Sequence, residues 1–464
     1  MPAIAGGGAK LQIIYPHYGA KINASSTFFV GNTDPEACLT INNKPVKVWS
    51  NGAFVEVVSL NKGINKINVK TSTKTTSKEI NYILKVPEKQ STTSSRPQKP
   101  LSFTAEVAKD YVVTRTAPGQ DRLTPLLKGT LIEITAKSGN NYRFKYSDNL
   151  SGWIARKDIK YLYKRNNLPD IKITDLNVDA DENYVYLKVS LPQKVPFIIE
   201  QPSENEMKLK LFRAVSLING VSSDNTNHFI KELKWTQDSK DCLSLSIKTT
   251  ASNFWGYKYY YEGNNLVLRL RKPPETNFFY PLFGKTICID AGHGGKESGS
   301  VGPTAVAEKT INLKIAENLK KILESKGAKV IMTRVSDKYV DLYDRVHIAN
   351  SNNAQILVSI HNNALPDGKN PYEEHGTTTY YYHSQSIPLA KSIQKALVQL
   401  LGFKDSGIHN SSFVLTRPTE VPSVLVEIGF MIYPEEYNLL IMPEFQEKAA
   451  LGIASGLENF FLNK

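Results

Sequence analysis

The hydrophobic rhythm of this 464-residue chain changes once, near residue 280, and that change constrains its architecture more than any other feature. Before it, apolar residues recur at every second position in short runs such as "AFVEVVSL", "ENYVYLKVSL" and "NNLVLRLRKPP", the period of a half-buried strand. Beyond it, four apolar runs (Thr286 to Asp290, Lys329 to Arg334, Gln355 to Ile360, Ser423 to Glu427) are separated by stretches with helical spacing. In "EKTINLKIAENLKKILESKG" the residues Ile311, Ile315, Leu319, Ile322 and Leu323 fall on one helical face, and Gly327 supplies a stop. Strand and helix in alternation predict an α/β domain with a mostly parallel sheet flanked by helices.

A chain of this length exceeds one hydrophobic core, so several domains are expected. Residues 10–87 alternate through "LQIIYP", "STFFVGN" and "INKINVKTS" with Gly, Asn and Pro at the turns, the pattern of an all-β sandwich. Residues 88–100, "EKQSTTSSRPQKP", hold nothing to bury and read as a linker. Residues 101–163 and 168–272 return to short strands. The expected fold is therefore three all-β modules followed by an α/β domain over 284–464.

The whole chain carries 57 Lys and Arg against 44 Asp and Glu, unevenly spread. From Pro281 onward the counts are 18 and 19, so the first 280 residues hold 39 against 25 and the entire basic excess. In "EMKLKLFRA" and "CLSLSIKTT" the bases alternate with apolar residues, which places them on the outer faces of sheets. Such a surface favours anionic partners, either a wall polymer, lipid or nucleic acid. Nucleic acid is set aside because no helix-turn-helix, zinc finger or stacking motif is visible. No stretch approaches the roughly 18 apolar residues of a membrane helix, and "MPAIAGGGAKLQ" shows no apolar core of an export signal. Cys38, Cys242 and Cys288 are too few and too scattered for a disulfide framework or a metal cluster.

Three apolar runs end in groups able to bind metal or move protons: "TICIDAGHGG" at His293, "QILVSIHNNA" at His361 and "SVLVEIGF" at Glu427. Sites in open α/β sheets lie beyond the carboxyl ends of strands, so these three can converge. Gly292, Gly294 and Gly295 let the backbone turn sharply beside His293. Glu308 begins the helix after this loop and can point back to the same edge. Two imidazoles and one carboxylate form a common ligand set for catalytic zinc, leaving Glu427 to act as a base on water. The glycine loop lacks the adjacent Lys-Ser or Lys-Thr pair of a phosphate-binding loop.

Other groups have weaker claims. His347 and His383 read as structural, whereas His375, before "GTTTYYY", and His409, in the loop "SGIHNSS", can line a cleft and contact substrate. Arg345 is expected to pair with Asp341 at four-residue spacing, with substrate contact as its alternative. Asn363 either orients substrate or holds its own loop.

Over about 180 residues, 284–462, the motifs "IDAGHGG", "EKTINL", "TRVSDKYVDLYDRVHIAN", "SIHNNA", "GTTTYYY", "PSVLVEIGF" and a closing helix make the chain resemble the zinc-dependent N-acetylmuramoyl-L-alanine amidases of the type 3 catalytic family. The resemblance implies His293, Glu308 and His361 as ligands of one Zn2+ per catalytic domain and Glu427 as the catalytic glutamate. It departs at Glu297, where Asp is frequent, and at Ser406, where a basic residue commonly precedes Gly407. Only "LPDGKNPYEEHG" separates "SIHNNA" from the next strand, so an open cleft without an inserted inhibitory helix is expected. Residues 10–87 look like an immunoglobulin-like surface module, 101–163, with "GWIARKDI", like a bacterial SH3-like domain, and 168–272 like an AMIN-type wall-targeting domain.

The implied function is hydrolysis of the amide between N-acetylmuramic acid and the L-alanine of the peptidoglycan stem. Peptidoglycan is the implied partner, anionic wall polymers bind through the basic modules, and the location is extracytoplasmic, in the periplasm or cell wall. Two readings compete: a catalytically inactive wall-binding protein that recruits hydrolases, and a zinc peptidase acting within the stem.

Overall fold

A computed structural model describes residues 9–87, 99–163, 168–223 and 228–463. Most of the expected linker, 88–98, lies outside the described residues. The N-terminal part is built from small all-β sheets and the C-terminal part is α/β.

The first sheets are a three-stranded one (11–15, 26–33, 53–59) and a four-stranded one (44–46, 38–41, 63–72, 77–86). Phe29 and Phe54 of the first meet Ile67, Val69 and Leu84 of the second in one buried cluster, which makes the pair a sandwich. The strand Ser26–Thr33 does not alternate: Thr27 to Thr33 are all buried. Continuous burial means that its second face is covered too, in this case by the C-terminal domain.

Residues 99–163 form a seven-stranded sheet, and 168–271 form sheets of five, four and two strands. Their apolar faces merge into a single cluster running from Ala105 to Leu270. Tyr146 packs on Phe212 at 5.0 Å and Tyr111 on Tyr259 at 5.4 Å between ring centroids. The Tyr259 hydroxyl donates to the Pro125 carbonyl at 3.1 Å. These regions therefore share a core.

The C-terminal sheet has six strands in the order Lys329–Met332, Thr286–Ala291, Ile356–Asn363, Ser423–Phe430, Thr377–Tyr381, Asp405–Asn410. The first four are mutually parallel, and the last two run in the opposite direction. Asp405–Asn410 is an edge strand, so His409 sits in a strand where the sequence suggested a loop; pairing with Thr377–Tyr381 supplies the order that "SGIHNSS" lacks by itself. One face is covered by α1 (Glu308–Ser325), α3 (Ile387–Leu401) and α4 (Pro443–Leu462), burying Ile311, Ile315, Leu319 and Leu323 against Ile289, Val358 and Val426. Each such aliphatic residue contributes roughly 1.5–3 kcal/mol. The other face carries α2 (Leu342–Ser351) over Cys288 and Leu357. All three cysteines are free, with Cys242 and Cys288 buried.

Trp255 comes from the preceding β region yet lies fully buried in the C-terminal core, against Phe460 and Phe461 at 4.9 and 5.4 Å. Beside it, Tyr257 N donates to the Thr419 carbonyl at 2.7 Å and Arg269 pairs with Glu420 at 3.1 Å. The β regions are fastened to the α/β domain along its flank.

Candidate metal centre

The His293 loop follows a buried strand and is held by two arginines that are each 1% exposed. Arg345 donates to Asp290 Oδ1 at 2.8 Å and to the carbonyls of Ala291, His293 and Val340 at 2.9, 2.8 and 3.0 Å. Arg334 donates to the carbonyls of Ala291, Gly292 and Lys309 at 2.8, 2.9 and 2.8 Å. The expected Arg345–Asp341 pair does not form: Asp341 caps α2 by accepting from Tyr343 N, while Arg345 turns inward to a buried carboxylate. Burial alone would raise the Asp290 pKa, but the guanidinium of Arg345 and the hydroxyls of Ser359 and Thr333 hold it below the ordinary carboxylate value. Buried and bonded in this way, Arg345 serves the backbone of the His293 loop.

His293 itself has φ +61°, a left-handed conformation uncommon for a residue with a side chain. Gly292 answers a different need. A Cβ there would lie inside contact distance of the His361 imidazole, so only glycine lets the two segments come together.

Glu308, the first residue of α1, is 4% exposed and faces both imidazoles. Its Oε2 lies 3.2 Å from His293 Nε2 and its Oε1 3.1 Å from His361 Nδ1. The same carboxylate accepts from Ser300 N at 2.9 Å, Asn362 N at 3.1 Å and Asn312 Nδ2 at 3.1 Å. Ligand atoms of His293, Glu308 and His361 all lie within 4.8 Å of one another. Burial pushes the Glu308 pKa up, but hydrogen bonding and charge from the two histidines win and hold it far below the usual range. Burial also opposes protonation of His293, and Glu308 overcomes it, raising the His293 pKa.

Glu427 stands directly opposite His361 on the adjacent parallel strand, so both side chains leave the same face of the sheet. As a residue it is half-buried, but its Oε2 is shielded from solvent and has no hydrogen-bond partner among the described residues. Burial first, and the nearby Glu308 carboxylate second, raise its pKa well above the ordinary value. A lone acceptor beside a cluster of two imidazoles and a carboxylate is the arrangement expected where a cation and a water belong.

The remaining candidates have partners of their own. Asn363 Oδ1 accepts from Ala364 N at 2.8 Å, holding its own loop. His375 is paired with buried Glu436 at 2.7 Å and packs on Tyr433 at 4.5 Å. His409 Nε2 meets the Ser406 carbonyl at 2.7 Å, and its ring lies 6.0 Å from Tyr380. Sequence reasoning missed Asp290, Arg334, Asn312 and Asn362. Asn312, one helical turn beyond Glu308, was the one with a readable signal.

A family profile described as N-acetylmuramoyl-L-alanine amidase matches residues 287–459. The germination-specific N-acetylmuramoyl-L-alanine amidase of Bacillus subtilis is 35% identical over 203 residues, spanning 40% of this chain and 83% of that protein. The chain belongs to the N-acetylmuramoyl-L-alanine amidase family. Bacillus subtilis YqiI is 37% identical over 198 residues, 42% of this chain and 93% of that protein. The probable cell wall amidase LytH of Staphylococcus epidermidis is 34% identical over 183 residues, of which the aligned part spans 39% of this chain and 60% of LytH. In this member of the amidase family the matched region contains all four acid, base and ligand candidates. Among the described residues no helix is long and apolar enough to cross a membrane.

Proposed function

We propose that the protein is a zinc-dependent peptidoglycan hydrolase that cleaves the amide between N-acetylmuramic acid and the L-alanine of the stem peptide. His293, Glu308 and His361 hold one Zn2+, and Glu427 is the catalytic acid and base. The observation that carries this reading is the unpartnered Glu427 Oε2, buried and one strand away from the His-Glu-His cluster.

When bound, zinc supplies Lewis acidity and lowers the pKa of a water to near neutrality. Glu427 takes a proton from the attacking water at its free oxygen and delivers it to the departing L-alanine amine. Asn312 and Asn362 hold Glu308 through its Oε1, and Arg334 and Arg345 fix the backbone that presents His293. No side chain has to attack the carbonyl, so no covalent acyl-enzyme forms. Asn363, His375 and His409 flank the centre as candidate substrate contacts.

We further propose that 10–87 is an immunoglobulin-like module, 101–163 SH3-like and 168–272 AMIN-like. With the catalytic domain at 284–464, these hold an extracytoplasmic enzyme on peptidoglycan and anionic wall polymers. Elemental analysis of the purified full chain should give about one zinc. Digestion of purified peptidoglycan should release intact stem peptides with a free L-alanine amine, and a chelator should abolish release. Shortened peptides would show a stem peptidase, and a metal-free folded chain that releases nothing would show a binding protein.

A further inference from the structure

The segments that carry the site converge on a part of the chain that is remote in sequence. Phe28, Val30 and Val55 of the three-stranded N-terminal sheet, with Trp49, pack against Phe430, the last residue of the Glu427 strand, and against Ile432 and Tyr433 just beyond it. Asp367, in the loop after the His361 strand, accepts from Tyr15 Oη at 2.8 Å and Thr27 Oγ1 at 2.6 Å. In the same loop Gly368 N donates to the Ser26 carbonyl at 3.0 Å, and the Tyr372 hydroxyl donates to the Val55 carbonyl at 2.8 Å.

A third contact reaches Glu308. Asn32 Nδ2 donates at 2.7 Å, in a buried position, to the carbonyl of Pro303. Pro303 is at the tip of a hairpin closed by pairing of Val301 with Ala307 and by Gly302 N to the Val306 carbonyl at 2.9 Å. That hairpin ends at Glu308, whose own N–H bonds the Ser300 carbonyl at 2.8 Å. The loop "LPDGKNPYEEHG" thus docks on the N-terminal sheet through Asp367, Gly368 and Tyr372.

A metal centre needs its ligands held to about 0.5 Å, and ligands on separate loops depend on whatever fixes those loops. We propose that the N-terminal sandwich is a positioning element of the metal centre, holding through Asn32, Thr27, Tyr15 and Val30 the segments that carry Glu308, His361 and Glu427. The inference rests on the zinc-amidase reading and adds to it that a module resembling a surface appendage is part of the catalytic unit.

The test uses the full chain with substitutions on the sandwich only, so that any effect on the centre must pass through the interface. Val30→Glu places a charge in the apolar contact, and the double variant Asn32→Ala/Thr27→Val removes two hydrogen-bonding side chains without adding one. Zinc affinity is measured by competition with a chromophoric chelator. Values of kcat and KM are taken on a soluble muramoyl-peptide fragment, and folding is checked by circular dichroism. We expect zinc affinity and kcat each to fall by about tenfold or more, with KM within about twofold of the parent. A sandwich that only anchors the enzyme predicts the reverse pattern: zinc affinity and kcat on the fragment within about threefold of the parent, with loss confined to binding of insoluble peptidoglycan. That result overturns the proposal. If Val30→Glu does not fold, the double variant decides on the same readouts. If the parent binds zinc but cleaves nothing, the amidase reading fails while the zinc comparison still decides the role of the sandwich.

Discussion

Replacing Glu427 with Gln separates chemistry from structure at this site. The side chains are nearly isosteric, and the shielded Oε2 of half-buried Glu427 is already unpartnered among the described residues, so the exchange neither opens a cavity nor breaks a hydrogen bond to Oε2. It also removes a carboxyl whose ionisation is opposed by burial and by Glu308, so the unliganded protein should melt no lower than the parent. What is lost is the proton acceptor. General acid–base groups contribute about 10²- to 10⁴-fold, equivalent to about 3–5 kcal/mol of transition-state stabilisation. The expected outcome on a soluble muramoyl-peptide is a kcat reduced by that factor, a KM near the parent value and about one zinc per chain. A variant that retains zinc and turns over within tenfold of the parent would refute the assignment of Glu427 as the base.

Arg345→Met removes one partner of a buried ion pair, leaving Asp290 without its cation and the His293 and Val340 carbonyls without this donor, so denaturant unfolding should show a loss of about 3–5 kcal/mol; a loss under about 1 kcal/mol contradicts it. Gly292→Ala drives a methyl group into the His361 imidazole and should weaken zinc binding by about tenfold or more in chelator competition, with the fold retained. His383 gives a pH signature unconnected with the metal. Burial depresses its pKa to about 4, and the ring meets the Arg417 carbonyl at 3.0 Å. The unfolded chain binds the proton more tightly, so the neutral ring stabilises the fold above about pH 6.5, and that contribution, at most about 3 kcal/mol, is lost as the pH falls from there toward 4. The urea midpoint of the parent should fall between pH 7 and 5, and His383→Gln should flatten that change.

Local periodicity carries backbone conformation and the direction of each side chain, and that much was readable here. The strands before His293, within the His361 run and at Glu427 were placed to within a few residues, and α1 was set by Ile311, Ile315 and Leu319. Because strand ends in a parallel sheet share one edge, the convergence of His293, His361 and Glu427 followed from sequence alone. Partner identity across elements did not. Arg345 stands near Asp341 in the chain, and nothing local shows that its helix turns that side chain inward to Asp290. His409 looked like part of a loop until a neighbouring strand supplied its pairing.

The largest difference concerns what lies between the modules. Each β region was legible by its alternation, but alternation reports one buried face and is silent about what covers the other. The unbroken burial of Thr27 to Thr33 and the insertion of Trp255 among Phe460 and Phe461 both arise from surfaces hundreds of residues away. Sequence by itself determined most of the elements, a His-Glu-His set able to hold a metal, and the basic character of the first 280 residues. Only the tertiary structure decided that the N-terminal sheet presses on the segments around the metal centre, because contacts between separately patterned faces depend on three-dimensional packing that no local period encodes.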